Sequence, residues 1–413
     1  MTGAICLVEH NRAPGNTLDL VEAAQALGHK VVVVTSDPAT AADVVPASVE
    51  VIDVDTTDAM AVASALEARA VDGIGTAHDF YVPVAADAAS LLSLGGPDPD
   101  AVHRCRRKVD QRMQLATHGV AQPRFALARS PREAVRAARD IGFPVIVKPV
   151  ALADSIGVAQ CESVADVADH VRRLAVDPLF LPRRPAPGHV AGEVLVESVL
   201  QGAEHTVEVF DGVAVATAQT RMAPPPFFVE YEHVVATPGD RERAGIHGVL
   251  ARTAEDAVRA LGLQHGPVHV ELRLGGDGPA VVEVNARLAG GRIPRLLQLT
   301  HGVDLWESTV RVMRGEQVVP AVSHSRAGVL RFVHVANTRP QRTDAVAHRG
   351  FDGELVLLPR TPGVADRPTR SSEHAGWAIA TGDTPDVCRL ELDDLWSQLR
   401  AQLPIWPAVG EDP

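Results

Sequence analysis

The chain has 413 residues, with 39 Lys and Arg against 52 Asp and Glu and a formal charge of −13 at pH 7; lacking any long basic run, it argues against a nucleic-acid backbone as partner. No apolar stretch reaches the length of a membrane span, and Met1 to Glu9 lacks the basic start of a signal peptide and reads as a first strand. Cys6, Cys105, Cys161 and Cys388 are scattered without Cys-x-x-Cys spacing, so neither a zinc site nor a disulfide framework is expected and a reduced, cytoplasmic compartment follows.

This length leaves room for two to four domains. Strand patterns at Ala4 to Val8, Lys30 to Thr35, Val49 to Val54 and near Gly73 to Gly75 alternate with helical spacing at Leu18 to Leu27, Ala59 to Ala70 and Val82 to Leu94. That alternation implies a parallel sheet with crossover helices, a small Rossmann-like unit. Its first turn, His10 to Asn16, lacks Gly-x-Gly-x-x-Gly, which argues against a dinucleotide site. Glu9 and Asp79 lie at strand ends from which a substrate is reachable, although capping or solvation explains them as well.

Gly95 to Asp100 reads as a loop and a domain boundary. Val102 to His118 reads as one helix bearing Arg104, Arg106, Arg107, Lys108 and Arg112 and closed by Gly119; most of those basic side chains are expected to be solvated. The only lysines in the chain are Lys30, Lys108 and Lys148. A sequence this biased toward Arg keeps Lys where a compact point charge is wanted, as at a phosphate. A helix at Pro131 to Ile141 precedes an apolar strand ending in Lys148-Pro149, then the loop Val150 to Ser155 and a strand starting at Ser155-Ile156-Gly157-Val158. Small residues there let backbone N–H groups approach phosphates.

Asp177 to Gly192, rich in Pro and Arg, reads as a surface loop. A strand from Glu193 to Val199, with Glu197, Ser198 and Leu200 at its end, precedes Gly202 and an acid-bearing strand with Glu204 and Glu208. Arg221 to Phe228 is a substrate-side loop candidate, Glu232-His233-Val234-Val235 runs into the turn Thr237-Pro238-Gly239, and Thr253 to Leu261 is amphipathic.

The most informative stretch is a hairpin, Val268 to Leu274 and Ala280 to Arg287 around Gly275-Gly276-Asp277-Gly278, followed by Leu288-Ala289-Gly290-Gly291-Arg292. Period-two alternation sets His269, Glu271 and Arg273 on one face, and Glu283, Asn285 and Arg287 with them, with Val282, Val284 and Ala286 behind. A three-residue turn centred on Asp277 would place Glu271 opposite Glu283. Two facing carboxylates repel, and a divalent cation compensates; two Glu and one Asn are hard oxygen donors suited to Mg²⁺. Arg287 and Arg292 have the forked guanidinium that binds a carboxylate; either serves equally as a structural ion-pair partner, as does Arg295. Beyond Ser323, strands at Gly328 to Val335, Gly353 to Leu358 and Gly376 to Gly382 and a helix at Thr384 to Leu403 are expected.

Glu271, then Glu283-Val284-Asn285-Ala286-Arg287 and Gly290-Gly291, together with Lys108, Met113, Gly119, Val120 and Pro123, resemble the ATP-grasp superfamily. The resemblance runs over essentially the whole chain and implies an α/β fold with a Rossmann-like N-terminal domain (1–97), a two-lobed ATP-grasp body (98–322, small lobe about 120–200) and a C-terminal lid-like subdomain (323–413). It implies ATP between the lobes, with Lys108, Lys148, Ser155 and Gly157 toward the phosphates, although the Ser155 loop is poorer in glycine than is usual there. Glu197, Ser198 and Leu200 would meet the adenine and Glu204 the ribose. Glu271, Glu283 and Asn285 would hold Mg²⁺, or Mn²⁺ in its place, while Arg287, Arg292 and His233 would face the transferred group or acceptor. The reaction implied is ATP-dependent amide formation between an amino acid or other small carboxylate and an amine through an acyl phosphate, with a homodimer as an open option. A bicarbonate-activating carboxylase and a non-catalytic ATP-binding regulator are the alternatives; no Met-Lys-Met tract is present.

Overall fold

The computed structural model describes residues 3–8, 16–177, 192–222, 228–236, 241–334, 351, 353–357, 374–403 and 405. Glu9, most of the first turn, residues 178–191 of the Pro- and Arg-rich loop, residues 223–227 and the turn at 237–239 lie outside them. The first part runs β1 (Ala4–Val8), α1 (Asn16–Ala26), β2 (Lys30–Thr35), α2 (Pro38–Val44), β3 (Glu50–Asp53), α3 (Ala59–Leu66), β4 (Val71–Gly75) and α4 (Val82–Leu91). Its strands pair in parallel in the order β3-β2-β1-β4. Consecutive apolar residues suit a strand covered on both sides. Cys6, Val8, Val32 and Val34 pack with α3 and α4, whereas Ile5, Leu7, Val31 and Val33 join a core that also holds Trp306, Met313 and Phe332. The sheet and the rest of the chain are therefore fused by apolar packing. At the seam Gly73 is obligatory by contact, because a Cβ there would fall 2.4 Å from the carbonyl oxygen of Met313.

The expected single helix at 102–118 is two helices, α5 (Pro99–Arg106) and α6 (Lys108–Thr117), broken at Arg107, whose backbone is extended (φ −95°, ψ 108°). A lobe follows with β5 (Phe125–Ala128), α7 (Pro131–Ile141), β6 (Val145–Pro149), β7 (Ala159–Cys161), α8 (Val164–Val176) and β8 (Val194–Ser198). Its strands pair antiparallel in the order β5-β8-β6-β7, under α7 and α8. The strand expected from Ser155 starts only at Ala159; Asp154 and Ser155 have positive φ (59° and 53°) and belong to the preceding turn.

The remainder is β9 (Ala203–Phe210), β10 (Val213–Met222), β11 (Glu230–Val235), α9 (Arg241–Leu261), β12 (Pro267–Gly275), β13 (Gly278–Asn285), α10 (Ile293–His301), α11 (Leu305–Met313), β14 (Ala327–Val333), β15 (Glu354–Leu357), β16 (Gly376–Gly382) and α12 (Pro385–Arg400). The strands form one eight-stranded antiparallel sheet, β13-β12-β9-β10-β11-β14-β16-β15. One face packs on α9 through Val207, Val209, Val268, Val270 and Leu272. The opposite face carries the polar side chains that make the site. Among the described residues no helix is long and apolar enough to cross a membrane.

Candidate active site

The β12–β13 hairpin sets Glu271 directly opposite Glu283, though not by the expected turn. Gly275 pairs with Gly278, so the turn holds two residues, Gly276 and Asp277. The ladder then slips between Glu271 and Leu272, and Val282 is the extra residue. The expected alternation is thereby corrected: Val281 (0% exposed) and Val284 enter the core, whereas Val282 is only half-buried. Across the sheet the row continues from Glu283 and Glu271 to Thr206, while Asn285 and His269 line up with Glu208 and Arg273 with Glu204.

Asn285 donates its amide to Glu271 Oε1 (3.3 Å), and Lys108 Nζ bridges Glu283 Oε1 and the Leu152 carbonyl, both at 2.7 Å. Burial, and then Glu283 across the ladder, push Glu271 up to about 8. Burial acts on Glu283 in the same direction, but Lys108 and Lys148 outweigh it and hold its carboxyl below the usual range. His269 donates from Nδ1 to Glu208 at 2.7 Å and lies 3.6 Å from Glu271. Burial disfavours its charge, yet Glu208 raises it to about 9.

Lys148, at the end of β6, is 2.8 Å from Glu197 Oε2, and the other oxygen of Glu197 accepts from Arg112 Nε at 2.6 Å. Arg112 is 1% exposed, which corrects its assignment to a solvated helical face. Burial would raise Glu197, but Arg112 and Lys148 bring it down to about 2, so this carboxylate is engaged inside the protein. Glu204 pairs with Arg273 at 2.8 Å, and Arg273 also donates to the Leu200 carbonyl at 3.4 Å. Ser198 Oγ accepts from the Arg124 backbone N–H at 3.0 Å. Gly157, at φ +74°, would clash through a Cβ with Leu174 at 2.6 Å, and its carbonyl accepts from His170 at 2.9 Å. Lys108–Glu283, Asn285–Glu271 and Lys148–Glu197 are thus direct contacts, the first two facing each other across the ladder; Ser155 and Gly157 join them only along the chain from Leu152.

The loop after β13 is held from the first sheet. Arg287 donates to Asp79 Oδ1 at 2.7 Å and to the Leu288 carbonyl at 2.8 Å. Burial would raise Asp79, but Arg287 draws it down to about 2. Arg292 is 2.5 Å from Asp19 and lies over the rings of both Trp306 (5.4 Å) and Trp377 (5.2 Å). Asn16 ties the same loop through the Ala289 carbonyl at 2.7 Å. Arg295 pairs with Glu354 at 2.7 Å, the structural role open to it from the sequence. His233 is fully buried: Nδ1 contacts Thr220 Oγ1 at 3.1 Å and Nε2 lies 3.4 Å from Glu230 without a well-formed hydrogen bond. A Cβ on Gly291 (φ +58°) would stand 3.5 Å from that Nε2, so the loop backbone closes on His233. The sequence does not single out Arg112 and Asp19 as site residues, and offers Asp79 only as a strand-end acid, because their partners are distant in the chain; Glu230, three residues before its partner His233, carries no motif signal of its own.

Among the described residues no three His, Cys, Asp or Glu converge as a metal-binding group. A cation here would rest on Glu271, Glu283, the Asn285 amide oxygen and oxygens brought by a phosphate, the ligand mix that suits Mg²⁺. The raised Glu271 fits this: a half-buried carboxylate facing another is stabilised as an anion once a cation sits between them.

Residues 141–295 match the ATP-grasp domain family and residues 21–96 the ATP-grasp N-terminal domain family. Over 370 residues the chain is 30% identical to the uncharacterized protein y4rH of Sinorhizobium fredii, an alignment covering 89% of this chain and 73% of that one. The chain belongs to the ATP-grasp superfamily. Dapdiamide A synthase of Enterobacter agglomerans is 27% identical over 202 residues, 47% of this ATP-grasp chain and 45% of the relative. The crystal structure of an L-amino acid ligase from Bacillus licheniformis superposes with a TM-score of 0.76 at 19% identity, covering 98% of this chain and 99% of that one; at that identity the likeness establishes the shared ATP-grasp fold.

Proposed function

We propose that the protein is an ATP-dependent carboxylate–amine ligase that joins an amino acid or other small carboxylate to an amine, releasing ADP and phosphate. The observation that carries this reading is the half-buried Glu271–Glu283 pair with Asn285 beside it and Lys108 on Glu283. The sequence relationship to dapdiamide A synthase supports the ligase branch.

Glu271, Glu283 and Asn285 would hold Mg²⁺, or Mn²⁺, which when bound neutralises phosphate oxygens. Lys108 and Lys148 place two ammonium groups at one end of the same cluster, where they orient phosphates as point charges. Arg287, fixed by Asp79, offers its remaining N–H groups to charge on the transferred phosphoryl group. The substrate carboxylate oxygen attacks the terminal phosphorus of ATP, the bond to the bridging oxygen breaks, and ADP leaves with that electron pair. The amine then adds to the acyl carbon, loses a proton, and phosphate departs. His233 and Arg292 lie by the loop at Gly291, on the acceptor side of this scheme.

The test is release of ADP and phosphate from Mg·ATP across a matrix of amino acids and small carboxylates, alone and in pairs, with mass spectrometry of the product. Release requiring both a carboxylate and an amine, with a product lighter than their sum by one water, is the expected outcome. Release driven by bicarbonate would reassign the protein as a carboxylase; ATP binding without release from any pair would reassign it as a nucleotide-binding regulator.

A further inference from the structure

The strand that presents Glu283 carries one residue more than its partner needs. Counting from the turn, Gly275 pairs with Gly278, Leu274 with Pro279, Arg273 with Ala280 and Leu272 with Val281. An unbroken ladder would next set Glu271 against Val282 and send Glu283 to the side of Val270, which lies in the apolar core with Val268 and Leu272. A one-residue slip moves every later side chain to the other face. The bulge at Val282 prevents this and returns Glu283 and Asn285 to the face of Glu271 and His269.

A bulge leaves backbone groups outside the ladder, and buried carbonyls need donors. Here one side chain supplies them. Arg112 donates from its two terminal nitrogens to the carbonyls of Val281 (3.0 Å) and Val282 (2.6 Å), and from Nε to Glu197 (2.6 Å). The Val281 N–H, also turned away from β12, donates to the Ala121 carbonyl at 2.8 Å. Arg112 is the largest fully buried side chain among the described residues, and its planar fork serves three acceptors at fixed angles, which an ammonium on a flexible stem does not. One helical turn earlier, Lys108 grips the Glu283 carboxylate at 2.7 Å. Residues i and i+4 of α6 therefore hold the backbone of the bulge and the side chain that follows it.

We propose that Arg112 is a positioning residue of the cation site: it fixes the bulge in the register that turns Glu283 and Asn285 toward Glu271. This rests on the reading of Glu271, Glu283 and Asn285 as cation ligands, and the experiment separates the two. Binding of ADP to the full-length protein is measured by calorimetry in EDTA and with Mn²⁺, and bound Mn²⁺ is followed by electron paramagnetic resonance. If Mn²⁺ neither binds wild type nor strengthens ADP binding, the cation site itself fails, whatever Arg112 does. Where wild type responds, Arg112→Met and Arg112→Lys are each expected to lose roughly 10- to 100-fold in Mn²⁺ affinity, a larger factor than either loses in ADP binding measured in EDTA, where the Arg112 contact to Glu197 is also removed or altered. Arg112→Lys keeps a cation beside Glu197, so it reports even if Arg112→Met does not fold. The decisive arm removes Val282 in the Arg112→Met background. With the extra residue gone, the two-residue turn pairs Glu271 with Glu283 unaided, so Mn²⁺ affinity should recover. Mn²⁺ affinity unchanged in both single variants, equal loss of ADP binding in EDTA, or a deletion variant no better than Arg112→Met would each overturn the proposal.

Discussion

Asp79 and Arg287 are 208 residues apart in sequence and 2.7 Å apart in the structure, and their contact joins the end of the first sheet to the loop behind the carboxylate pair. Both side chains are largely shielded (19% and 15% exposed), so removing one leaves a charge in a poor environment. Asp79→Ala is expected to cost about 3 kcal/mol of stability, the lower part of the range for breaking a buried pair. The dependence on pH has a defined sign. The carboxyl of Asp79 is depressed to about 2 from 3.8, so its stabilisation is complete above 3.8 and drains away as pH falls toward 2. Urea denaturation of wild type and Asp79→Asn across that window checks this: the variant's stability should be the flatter in pH, and parallel curves would refute it.

The carboxylate pair predicts the opposite slope. Glu271 is raised to about 8 from 4.5, by burial and by Glu283. An acid with a raised value binds more protons folded than unfolded, so the stability of the cation-free protein should fall as pH climbs from 4.5 toward 8. Glu271→Gln removes that titration and should be more stable than wild type at pH 8 in EDTA while losing Mg²⁺-dependent turnover. Melting curves in EDTA at pH 5, 6.5 and 8 decide it; a wild-type protein that gains stability across this range would rule the reading out.

The same hairpin shows what a sequence reveals and what it withholds. Alternation in 268–274 and 280–287 is a local signal that puts His269 with Glu271 and Glu283 with Asn285, but whether those two faces coincide depends on the turn and on the bulge. The bulge at Val282 was not legible, because it is set by Arg112, 170 residues earlier. Arg112 itself looked like one more cation on a basic helix, and only the fold supplies Glu197 and two carbonyls to bury it. Of the three lysines, Lys30 is exposed on β2 while Lys108 and Lys148 are buried, against Glu283 and Glu197 respectively. β10 is hard to read from sequence because its small and polar residues alternate without a strong apolar face, and α10 because Gly290 and Gly291 directly precede it.

Arg292 makes a separate case, since its guanidinium lies over the rings of both Trp306 and Trp377 as well as pairing with Asp19. Lysine keeps the charge for Asp19 but not the flat face. Arg292→Lys should therefore destabilise by about 1–2 kcal/mol, the scale of desolvated cation–π contacts. The check is chemical denaturation with Trp fluorescence as the probe; a variant indistinguishable from wild type would show that the ring contacts contribute nothing.

Glu283 offers the sharpest separation of chemistry from folding. Its carboxylate is an intended cation ligand and also the acceptor of Lys108, which is 7% exposed and otherwise bonded to the Leu152 carbonyl. Truncation to Ala would leave a buried ammonium short of a counter-charge, so lost activity could reflect lost folding. Glu283→Gln retains an oxygen for Lys108 and removes the charge a divalent ion needs. Turnover should drop by at least about 100-fold, at or beyond the upper end of outer-shell effects because this is a direct ligand. The melting temperature in EDTA should change far less than it does in Glu283→Ala. Turnover and calorimetric Mg²⁺·ADP binding measured on both variants test this together: wild-type turnover in Glu283→Gln would remove Glu283 from the cation site, and equal melting shifts in the two variants would remove the Lys108 pair from the stability of the fold.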